Sequence, residues 1–76
     1  MAIRTDAKKN QNTIRAEWAR RVTTKFQNVT GLTDADGLDT AVVDLLCDLA
    51  HLCDEAGLEF ERLLDRAMVH YDAEGG

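Results

Sequence analysis

The chain has 76 residues, no proline, five glycines and a formal net charge of -5. That length makes one small domain, which buries only about 60% of the surface its unfolded chain exposes. With only Trp18, Phe26, Phe60 and Tyr71 as aromatics, stability must come from aliphatic helix packing, from a partner chain, or from both.

Glycines divide the chain into three segments, and the absence of alternating β-branched runs makes all three helical. The first helix is expected to begin between Thr5 and Thr13 and to end near Asn28. Ile14, Trp18, Val22, Phe26 and Val29 recur at steps of four, four, four and three, which is one apolar stripe. Trp18 reads as a core anchor at a helix crossing. Residues 1–12, with the polar "KKNQN", are expected to fray.

"TGLTDADGLD", residues 30–39, follows as a connector rich in capping residues. Thr33 or Asp36 can offer a side-chain oxygen to the free N–H groups of the second helix. Asp34, Asp36 and Asp39 suit the positive end of its dipole. A calcium loop would need ligands at fixed positions and a closing bidentate Glu, and that pattern is missing here.

The second helix is expected from Leu38 to Ala56, with Gly57 as its C-terminal stop. Asp44, Asp48, His51 and Glu55 fall within about 60° of arc, and apolar residues occupy about 240° of the remainder. An ordinary surface helix needs little more than 100° of apolar face. This helix should therefore be central and touched from at least two sides. The third helix, from Leu58 or Glu59 to Asp72, carries Phe60, Leu63, Leu64, Ala67, Met68 and Tyr71 on its core face. Residues 73–76 form a tail. The short joint at Gly57 implies an αα-hairpin or sharp corner.

The fold class is thus all-α: a three-helix domain with a C-terminal αα-hairpin, completed as a dimeric helical bundle. Two copies of the second helix would meet across a two-fold axis. The interface residues expected are Val42, Val43, Leu46, Leu49, Ala50 and Cys53, with Val69 from the third helix. Asp44, Asp48, His51 and Glu55 are the candidate partner-binding stripe.

Chemistry is sparse. Cys47 and Cys53 point about 120° apart on one helix, unsuited to a bridge, and read as small apolar groups in a reducing compartment. No serine exists in the chain, and there is neither a nucleophile with its base nor a Gly-rich phosphate loop. No catalytic residue, metal ligand or cofactor is assigned. A metal held by the acidic stripe would need ligands from a facing helix, for which Glu59 and His70 are the available side chains. His51 reads as a polar-face residue beside acidic neighbours. No apolar run reaches the roughly 20 residues that span a bilayer, and "MAIRTDAKKNQNT" has no signal-peptide core. A cytoplasmic protein with no membrane contact is expected.

Charge is distributed unevenly. Residues 1–30 carry seven basic groups against two acids, and residues 31–76 carry two against twelve. The halves are therefore +5 and -10. Arg15, Arg20, Arg21 and Lys25 scatter around the first helix, so nucleic acid is not the expected partner. The acidic half offers another reading, a surface that mimics a phosphate backbone and occupies a nucleic-acid channel.

"DLLCDLAHLCDEAGLEFERLLDRAMVHYDAE", residues 44–74, resembles a pattern in small helical proteins encoded by phages, prophages and plasmids. These have a DLLxDLxH helix, a turn with Gly, then F…L…A..HY..E. The resemblance implies an accessory role in a mobile element, exercised by contact with a protein partner, and is compatible with inhibition of a host defence system. The segment also resembles the all-α nucleotide pyrophosphohydrolases of the MazG type, which hold magnesium with paired E-x-x-E and E-x-x-D motifs. This chain has no E-x-x-E, and Asp44 and Asp48 are spaced differently. A non-enzymatic, self-associating interaction protein is the reading carried forward.

Overall fold

The computed structural model describes residues 3–75, with side chains from residue 11 onward. Three helices follow one another: α1 (Ile3–Thr30), α2 (Leu38–Ala56) and α3 (Phe60–Ala73), with a single 3₁₀ turn, Asp34–Asp36, before α2. There are no strands among the described residues. α1 starts before the expected range and runs through the polar "KKNQN" stretch, because neither glycine nor proline interrupts it. The expected fraying of residues 1–12 concerns side chains largely outside the described residues.

The connector is built differently from expectation. The Thr33 N–H and its Oγ1 hydroxyl both donate to Asp36 Oδ2, at 2.7 and 3.1 Å. The Asp36 N–H donates back to the Thr33 carbonyl at 3.0 Å. These bonds close the 3₁₀ turn, so neither residue caps α2. That helix starts directly after Gly37 with no side-chain cap. Asp39 alone occupies its first turn as an acid, where the dipole favours it.

α2 has the expected bounds. It ends because Gly57 adopts the left-handed conformation, φ 74° and ψ 26°. The Leu58 N–H reaches back to the Cys53 carbonyl at 2.8 Å, and the Gly57 N–H to that of Asp54 at 3.4 Å. This is a Schellman closure, which satisfies carbonyls that the helix end would leave unpaired. Glu59 then leads into α3, its carbonyl accepting the Leu63 N–H at 3.1 Å.

α2 is the middle element, in contact with both α1 and α3, while α1 and α3 do not pack along each other. Their one tie is at the ends. Asn12 Nδ2 donates to the Glu74 carbonyl at 2.7 Å, and Arg15 Nε lies 3.5 Å from Glu74 Oε2.

The three helices spread into a plate of 46 × 31 × 15 Å with a radius of gyration of 15.0 Å. A compact domain of this length would have about 11 Å. The chain exposes 6350 Å², whereas a folded monomer of this mass exposes about 4,700 Å². Among the described residues only Ala41, Cys53 and Thr23 are buried, and no large side chain is enclosed. The helices are formed, but the single chain gives them almost no shared core.

Candidate interaction surface

α1 turns an unexpected side inward. Thr23 is buried, its hydroxyl donating to the Ala19 carbonyl at 2.8 Å. Ala16 and Ala19 line a cleft of about 490 Å³ with Asn12, Arg15, Tyr71 and Glu74. Asn12, Ala16, Ala19, Thr23 and Gln27 follow one helix face, of which Asn12, Thr23 and Gln27 are buried or half-buried while Ala16 and Ala19 stay exposed at the cleft. The apolar stripe lies on another side, with Ile14, Trp18, Val22 and Val29 about 100–180° around from Thr23. All four are exposed, Trp18 at 56% and Val29 at 72%. The expectation of a core Trp18 is thereby corrected. Only Phe26, on the stripe's edge, is half-buried.

On α2, Ala41 is fully enclosed, yet Val43 is 62% exposed and Leu46 41%. Val42 and Leu49 are exposed as well, and Val69 is exposed on α3. Five of the seven expected interface residues therefore face outward. The other two are placed differently: Cys53 is buried within the chain and Ala50 is half-buried. Both lie near the corner into α3, where the chain covers them itself. The wide apolar arc of α2 thus remains open despite contacts on two sides. α3 adds Leu64, Met68 and Tyr71 to the exposed apolar set.

The polar stripe of α2 runs from a half-buried first residue to exposed ones. Asp44 is half-buried, and with Asp48 and Cys47 it borders a shallow pocket shared with Phe26, Thr30 and Leu32. His51 and Glu55, further along, are exposed. The four side chains keep one face of α2, three of them exposed. Among the described residues no three His, Cys, Asp or Glu side chains are grouped to hold a metal ion. Glu59 is instead engaged with Arg62 at 3.5 Å.

Three ion pairs are formed among the described residues. Arg20 approaches Glu17 within α1 at 4.0 Å, and Arg62 approaches Glu59. Arg15–Glu74 is the one ion pair among the described residues that joins the basic and acidic halves. No described helix is long and apolar enough to cross a membrane.

The inward face of α1 and its tie to Glu74 escaped the sequence reading. The available signal was the row of small residues at Ala16, Ala19 and Thr23, of which Thr23 is the buried one. No family model, curated protein sequence or solved structure matches this chain.

Proposed function

We propose that this is a non-enzymatic helical interaction protein that self-associates, and that it serves as an accessory protein of a phage or plasmid by contact with another protein. One observation carries the self-association: formed helices with exposed apolar faces and almost no shared core. An amphipathic helix in water gains most of its stability from packing its apolar face. Each Val or Leu removed from water contributes about 1.5–3 kcal/mol. A second chain that covers Val42, Val43, Leu46 and Leu49 supplies what the first lacks. The mobile-element origin rests on the "DLLCDLAH" and "HYDAE" resemblance.

Light scattering on the purified protein tests the self-association, with twice the chain mass or a higher multiple expected. A monomer at hundreds of micromolar would sink it. Phage or plasmid genes flanking the coding sequence are the expected mark of the origin.

A second reading, an acidic nucleic-acid mimic or anti-defence inhibitor, is favoured by the exposed acids of α2 and α3. Its signature is salt-sensitive binding to a nucleic-acid enzyme, competed by DNA.

A further inference from the structure

We infer that the occupant of the open apolar face is a second copy of this chain, and that the two copies exchange contacts. The outward stripe of α1 in each lies on the α2–α3 face of the other. This rests on the self-association proposed above and specifies its geometry.

Two observations carry it. The first is area. Two separate copies expose 6350 Å² each, and packing to ordinary compactness would remove about 5,000 Å² in total. Permanent homodimer interfaces run from about 2,000 Å² to 5,000 Å² and beyond. Covering α2 alone would leave Ile14, Trp18, Val22 and Val29 in water; an exchanged α1 hides both surfaces.

The second is charge. Arg21 and Lys25 share about 60° of arc on α1 with Ile14 and Trp18. Asp65 and Asp72 lie beside Met68 on α3, within about 60° of arc. All four charged side chains are exposed, and none is in an ion pair with another described residue. Basic α1 on acidic α3 is complementary, whereas α1 on α1 or α3 on α3 sets like charges together. The geometry also allows closure. Related by a two-fold axis, the contact is made twice and ends at two copies.

The test uses two full-length variants, Arg21→Glu with Lys25→Glu, and Asp65→Lys with Asp72→Lys. Sedimentation velocity at low salt measures the association of each, of the wild type and of an equimolar mixture. Each variant alone should self-associate at least ten-fold more weakly than the wild type. The mixture should recover wild-type affinity, because both exchanged contacts then pair opposite charges. A wild-type dimer whose variants stay tight, or whose mixture gains nothing, overturns the exchange and leaves self-association standing. A monomeric wild type overturns both and leaves the face to a different protein. Circular dichroism checks folding, and the single substitutions Arg21→Glu and Asp65→Lys replace any pair that loses helix.

Discussion

Asn12 Nδ2 donates to the main-chain carbonyl of Glu74 at 2.7 Å, joining residues 62 positions apart. Arg15 reinforces the tie through the Glu74 carboxylate at 3.5 Å. Among the described residues, these two contacts join α1 to the end of α3. Asn12→Ala should cost about 1 kcal/mol, the net worth of a typical hydrogen bond. Arg15→Ala should cost less, because the pair is substantially solvated. Urea unfolding at one fixed protein concentration measures both, since self-association makes apparent stability depend on concentration.

Trp18 is 56% exposed in the single chain. As the only tryptophan, it reports its own surroundings. Its emission should shift to shorter wavelength as the protein is concentrated through the association range. An emission maximum that stays put across that range would show that Trp18 lies outside the interface.

Val43 is 62% exposed, so an aspartate there meets water in the isolated chain. Val43→Asp should leave helix content unchanged and weaken self-association by at least ten-fold. Leu46→Asp should act in the same direction. Light scattering for mass and circular dichroism for helix separate this outcome from simple unfolding.

Gly37 and Gly57 both require positive φ, but their surroundings differ. At Gly57, φ 74°, an added Cβ meets nothing within 4 Å, so Gly57→Ala should cost about 1–2 kcal/mol from backbone conformation. At Gly37, φ 89°, the Cβ would come 2.7 Å from Asp39 Oδ1. Gly37→Ala should therefore be the more damaging, at about 2–3 kcal/mol. Adding Asp39→Ala should relieve part of that loss, which thermal unfolding of the double variant reads out.

Ala41 is wholly enclosed in α2. Ala41→Leu must force its neighbours apart, at about 1–3 kcal/mol. Thermal melting should show this loss, while the same change at the half-buried Ala50 should cost less.

The positions of the helices were legible in the residues because their causes are local. Gly57 stops α2 by its own dihedral freedom, and the periodicity of Leu38–Ala56 is a property of that segment alone. The breadth of the α2 apolar arc already implied that one chain could not cover it. The tertiary structure decided which face of α1 turns inward. Two rows on that helix have helical spacing, the apolar Ile14–Trp18–Val22–Val29 and the small Ala16–Ala19–Thr23. Periodicity ranks the first as core, but in the single chain that row stays exposed and Thr23 of the second is buried. The long-range tie of Asn12 to Glu74 follows from that choice, because it depends on where a distant helix comes to lie.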